Sequence, residues 1–77
     1  MNSKYCSQYR QLGLKIAYYR KYRGLTQEQL AERIDKSAAF IGHVEAPNID
    51  KAVSLDTLFD IAAVLDIPVY KFFIFEE

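Results

Sequence analysis

Residues 26–45, TQEQLAERIDKSAAFIGHVE, constrain the fold more than any other stretch of the chain. Thr26 is followed three residues later by Gln29, the form of a capping box, and Leu25 and Leu30 stand where a hydrophobic staple would clamp the first turn. A helix is therefore expected from Gln27, over 27–34. Leu30, Ala31 and Ile34, three and four apart, give it one apolar face. Asp35, Lys36 and Ser37 break that pattern, and Ser37 offers a second N-cap for a helix over 38–45 in which Ile41 and Val44 face inward.

Two helices of about two turns, joined by about three to four residues, match a helix-turn-helix unit, whose second helix enters the major groove of DNA. The other residues then act as its support. A chain of 77 residues is expected to form one domain, 1–77, whose small core is efficient or shared with a second subunit. Hydrophobic residues make up 51% and charged residues 26%, with three Gly and two Pro, which leaves little room for disorder or long loops. Cys6 is the one cysteine and His43 the one histidine, so neither an internal disulfide nor a Cys/His zinc site is available, and no cofactor is implied. That composition points to a reducing, cytoplasmic setting. The opening MNSKYCSQYR has no apolar core with a small-residue cleavage site, and no stretch reaches bilayer-spanning length, so neither secretion nor membrane insertion is expected.

A net charge of zero argues against a nucleic-acid binder, but the average hides a division along the chain. Residues 1–36 hold eight Lys and Arg against three Asp and Glu, and residues 37–77 hold two against seven. Either such a molecule approaches phosphates with one side only, or these charges are solvated helix faces, since sequence halves need not be spatial halves.

Ahead of the central pair, Tyr5, Tyr9, Leu12, Ile16 and Tyr19 alternate four and three apart, the stripe of an amphipathic helix over 7–23 that Gly24 ends as a C′ residue. Tyr18 and Tyr22 fall off that stripe, to contact a sugar-phosphate or a partner, or simply to face solvent. After it, Pro47 and Asn48 mark a turn within 46–53. Ser54 caps a fourth helix over 55–65, with Val53 and Leu58 as a staple, Asp56 in the first turn, and Leu55, Leu58, Ile61, Ala62 and Leu65 pointing inward. Pro68 suits the first turn of a short fifth helix over 69–73. The tail from Phe72 to Glu77 carries more aromatic surface than one small core covers. Phe72 is assigned to the core, and Phe73 and Phe75 either to a symmetric dimer contact or to plain packing.

In this order the residues resemble the Cro and phage-repressor family of helix-turn-helix regulators, also called XRE-like, from Leu12 to Phe73. The resemblance rests on Arg20 near the end of the first helix, the Gly24-Leu25-Thr26-Gln27 run, the Leu30-Ala31 pair and the cap Ser37. It continues through Ile41 to Glu45, Ser54 to Leu58, and Leu65 to Ile67. It implies an all-α, compact five-helix domain like that of lambda repressor. It further implies that Arg20 pairs with Glu45 as a structural ion pair tying the first helix to the recognition helix. Gln27 would contact a phosphate and fix register without reading sequence, unless it serves a local cap instead.

The second helix of the unit departs from its relatives. Ala38, Ala39, Phe40, Gly42 and His43 replace the polar side chains that usually read guanine or adenine, so bidentate base contacts are absent. Ala38, Ala39 and Phe40 would meet thymine methyls, with His43 donating to a base or phosphate; alternatively Phe40 packs inside and His43 is solvated. Gly42 costs about 1 kcal/mol relative to Ala inside a helix, which suggests a close approach by DNA or protein. Asp35 stands where the family commonly has glycine, and Ala46-Pro47 replaces a basic residue and glycine. Lys36 and Ser37 flank the helix start, and Asn48 and Lys51 are the loop's phosphate contacts, too few for more than modest, salt-dependent binding to nonspecific DNA.

The leading expectation is a sequence-specific regulator of transcription, a repressor acting as a homodimer through its C-terminal aromatic region on double-stranded DNA. An antitoxin-like role, or a protein-interaction module that has lost DNA reading, is the alternative. Catalysis is not expected, because no glycine-rich phosphate loop, metal spacing or nucleophile pair appears.

Overall fold

Hydroxyl side chains set where three of the helices begin. In the computed structural model, which describes residues 4–46 and 52–75, Thr26 Oγ1 accepts the Gln29 N–H at 3.0 Å while Gln29 Oε1 accepts the Thr26 N–H at 2.8 Å. This reciprocal pair starts α2, Gln27–Arg33. Ser37 Oγ accepts the Phe40 N–H at 3.0 Å and starts α3, Ala38–Glu45. Ser54 Oγ accepts the Thr57 N–H at 3.1 Å and starts α4, Leu55–Leu65. The first helix, α1, spans Cys6–Tyr22 and has no side-chain cap.

Three helix ends share one geometry. After α1, Gly24 takes φ +75°, with the Leu25 N–H on the Arg20 carbonyl at 3.1 Å and the Gly24 N–H on that of Lys21 at 2.9 Å. Asp35 at φ 59° repeats the pattern after α2, through Lys36 to Ala31 at 2.9 Å and Asp35 to Glu32 at 3.3 Å. Asp66 at φ 56° repeats it again after α4, through Ile67 to Ala62 at 3.1 Å and Asp66 to Ala63 at 3.2 Å. These are Schellman closures, which satisfy the last carbonyls and turn the chain sharply. Glycine adopts the left-handed state without strain, and the short polar side chain of Asp makes it tolerable. Arg23 adds to the α4 end by donating to the Leu65 and Asp66 carbonyls at 2.7 and 3.1 Å.

The described residues contain no strand, and the expected fifth helix is instead a 3-10 helix, Val69–Phe73. Pro68 sits just outside it in extended conformation, and the Lys71 N–H bonds the Pro68 carbonyl at 3.1 Å. Five residues, four of them β-branched or aromatic, give too few i→i−4 bonds to repay helix nucleation, so the tighter i→i−3 form results.

All four α-helices and Phe72 meet in one core, in which Ile16, Leu30, Ile41, Ile61, Leu65 and Phe72 are fully buried. Two expected core positions are outside it. Tyr5 is 52% exposed because it precedes the first turn of α1, and Leu55 is 62% exposed at the margin of the α4 stripe. Thr57 is buried on α4, with its hydroxyl oxygen accepting from Ser54 Oγ at 3.0 Å. Buried Gly13 lets α1 lie against the end of α3: a Cβ there would run into the Val44 carbonyl oxygen.

Candidate nucleic-acid interface

The placement of α3 is controlled from its C-terminal end. Glu45 and Arg20 are each 7% exposed, and Arg20 Nε and Nη2 donate to Glu45 Oε2 and Oε1 at 2.7 and 2.9 Å. Arg20 Nη1 donates to the Leu25 carbonyl at 2.7 Å, so the same guanidinium holds the segment leading into α2. Gln27 Nε2 donates to Glu45 Oε1 at 3.0 Å. One carboxylate therefore gathers the last turn of α1, the first residue of α2 and the last of α3. A planar guanidinium suits this task because its fork fits a carboxylate with two parallel bonds.

That arrangement separates the two faces of α3. Ile41 and Val44 are buried, Ala39 and His43 are exposed, and Ala38, Phe40 and Gly42 are half-buried. Phe40 packs partly against the core, and the Lys36 ammonium lies 5.4 Å from its ring centroid. Such stacking holds a cation beside the start of α3. Ser37 is committed to the cap. Of the expected contact residues, Lys36, Ser37, Ala39 and His43 are exposed, Gln27, Ala38 and Phe40 are half-buried, and Phe40 is turned partly to the core. Asn48 and Lys51 fall outside the described residues.

A primary amide has two N–H groups, and in Gln27 the Glu45 carboxylate takes one of them. The other is available to an acceptor brought up to the start of α2. Gln27 is not part of the cap, which Thr26 and Gln29 complete alone. The Gln27–Glu45 bond and the role of Gly13 are both absent from a reading of residue types in order. A mid-helix glycine with no turn to serve was the available signal for Gly13. Nothing in sequence separation pointed to Gln27 bonding Glu45.

Among the described residues, no group of three or more His, Cys, Asp or Glu side chains could hold a metal ion. No helix is long and apolar enough to cross a membrane, again among the described residues.

Solved structures place this geometry among known proteins. The restriction-modification controller C.AhdI from Aeromonas hydrophila is 28% identical with a TM-score of 0.79, covering 87% of this chain and 98% of its own. SinR, the master regulator for biofilm formation, solved in complex with DNA, is 30% identical with a TM-score of 0.72, covering 79% of this chain and 95% of its own. An HTH_3 family transcriptional regulator from Vibrio cholerae is 26% identical with a TM-score of 0.77, covering 88% of this chain and 37% of its own. None of the curated proteins matches. The HTH_3 helix-turn-helix family model matches residues 16–72, and the chain belongs to this Cro-repressor-like, XRE family of DNA-binding transcription regulators.

Proposed function

We propose that the protein is a sequence-specific repressor that binds double-stranded DNA as a homodimer, setting α3 into the major groove of each of two half-sites about 34 Å apart. The observation that carries this reading is the side of α3 that, among the described residues, is exposed at Ala39 and His43. In this reading Gln27 gives its second amide hydrogen to a phosphate, and Lys36 and Ser37 border the same strand. Ala38, Ala39, Phe40 and His43 face base edges, with thymine methyls as the natural partners of the alanines and the ring. The loop residues Asn48 and Lys51 complete the phosphate contacts. Dimerisation through the C-terminal aromatic region is supported by Phe73 and Ile74, which are 49% and 45% exposed. SinR, described in complex with DNA, lends weight to duplex binding, and a cytoplasmic location follows from the same reading.

Selection of bound duplexes from a random pool, followed by sequencing, tests the proposal. A two-half-site motif with thymines under α3 is the expected result. The absence of any enriched sequence at low salt overturns it and favours the second reading, a protein-interaction or antitoxin-like module. That reading draws on the lack of Arg, Gln or Asn on the outward side of α3, and SinR is also described in a complex with the protein SinI.

A further inference from the structure

The exposed face of α1 is apolar in the middle and positive along one edge. Leu14, Tyr18 and Tyr22 are 51, 60 and 69% exposed. At about 100° per residue they share one face, and the exposed Arg10 and Lys21 both fall within about 40° of Leu14, on the same flank. Three turns separate these two cations, so the flank runs about 16 Å along the helix. Arg10 spends one N–H on Cys6 Sγ at 3.5 Å. Lys15 lies on the other flank and is engaged within the chain. No acidic residue lies on α1, so every charge that this face carries is positive.

The face is anchored to the fold. Tyr18 meets Tyr19 edge-on at 4.9 Å, and Tyr19 meets the buried Phe72 at 6.0 Å. Beside it opens a groove of about 480 Å³ whose walls include Leu14, Tyr18, Tyr19 and Phe75, roomy enough to take apolar side chains. Scattered surface hydrophobics need no explanation, whereas an aromatic strip at helical spacing beside a groove marks a contact surface. Gly13 and Arg20, through which α1 meets α3, lie about 150° around the helix from the middle of the strip. An occupant of this face therefore leaves α3 uncovered.

We infer that the exposed face of α1 receives an acidic amphipathic helix of a second protein. Its leucine or aromatic side chains lie along Leu14, Tyr18 and Tyr22 and enter the groove at Phe75, while its carboxylates face Arg10 and Lys21. Charge chooses this occupant. The same face of a second copy would bring only further positive charge. A single-stranded nucleic acid would use the cations and the rings but leave the Leu14 and Phe75 walls unfilled. The inference uses no part of α3 and is independent of the duplex reading.

Selection on the full chain from a displayed library of helical peptides of about fourteen residues, long enough to follow the flank, tests it. Peptides with Leu or Phe three and four apart and Glu or Asp beside them are the expected winners. Their affinity, read by fluorescence anisotropy on the synthetic peptides, should fall as salt rises. Arg10→Glu/Lys21→Glu should weaken binding by about tenfold or more, and Tyr18→Ala, which removes an exposed ring and leaves the core intact, by about tenfold. Both variants are checked for retained helical circular dichroism, and amide shifts caused by the peptide should centre on residues 10–22. Winners that are basic or uncharged, variants that bind as well as the parent, or shifts centred on α3 or α4 overturn the inference. So does a parent dimer that Tyr18→Ala dissociates, which gives the face to a second copy, or an oligothymidylate that binds these residues more tightly than the acidic peptides do.

Discussion

Removing Glu45 is the sharpest perturbation of the α1–α2–α3 junction. In Glu45→Leu the Arg20 guanidinium keeps only its 2.7 Å bond to the Leu25 carbonyl and loses the two acceptors at 2.7 and 2.9 Å, in a site where it is 7% exposed. A buried charge stranded this way costs about 3–5 kcal/mol. The converse change, Arg20→Met, leaves Glu45 with the Gln27 amide as a donor at 3.0 Å, so its cost should fall near the lower end, about 3 kcal/mol. Against a total stability of about 4–12 kcal/mol for a domain of this length, either change removes a large share. The double variant exchanges the pair for two apolar side chains and leaves no buried charge. Only the Gln27 amide and the Leu25 carbonyl lose partners, at about 1 kcal/mol each. Its stability should therefore lie within about 2 kcal/mol of the parent, with strong coupling in the double-mutant cycle. Urea unfolding followed by circular dichroism reads all four midpoints. Additive single changes, or single costs under about 1 kcal/mol, would refute the argument that this pair is a mutually dependent buried unit.

Gly13→Ala improves helix propensity by about 1 kcal/mol but drives a methyl into the Val44 carbonyl, an overpacking of about 1–3 kcal/mol, so thermal unfolding should show a net loss of stability. Asp35 holds φ 59°, and Asp35→Val should cost about 1–2 kcal/mol while Asp35→Gly costs nothing; equal melting of the two would show that the left-handed position is not limiting. Gln27→Ala should weaken binding to every duplex alike and leave preference among sites unchanged, whereas Phe40→Ala or His43→Ala should change preference, as competition gel shifts would show.

Much of the fold is legible in the order of residues because its signals are local. Thr26, Ser37 and Ser54 announce helix starts through side chains that reach only three residues ahead, and Gly24 announces an end through its own dihedral. Long-range consequences were harder to read. Asp66 closes α4 in the same way as Asp35 closes α2, yet Asp is common on helix surfaces and nothing in its neighbours requires φ 56°. Leu55 has the right spacing for the core and stays at the surface, since periodicity fixes a face but not how far the neighbouring elements extend to cover it. In the candidate site, the sidedness of α3 follows from Ile41 and Val44. The bond from Gln27 to Glu45 depends on how α2 and α3 cross, which no spacing encodes.

The two helical glycines then separate a structural reason from a functional one. At Gly13 the chain itself occupies the space a side chain would need, so the fold accounts for the residue. At Gly42 a Cβ would meet only Gln27 Oε1, at 3.6 Å, an ordinary contact. The fold therefore accepts alanine there, and Gly42→Ala should stabilise the protein by about 1 kcal/mol through helix propensity alone. Keeping glycine at such a position is intelligible if something outside the chain comes close to α3 beside Gln27, as a duplex backbone does in the proposed complex. Gly42→Ala is accordingly expected to raise the unfolding midpoint and lower affinity for the selected duplex together. A variant that is more stable and binds as tightly as the parent would show that no partner approaches α3 at Gly42, and would move the proposed duplex contact towards the N-terminal end of that helix.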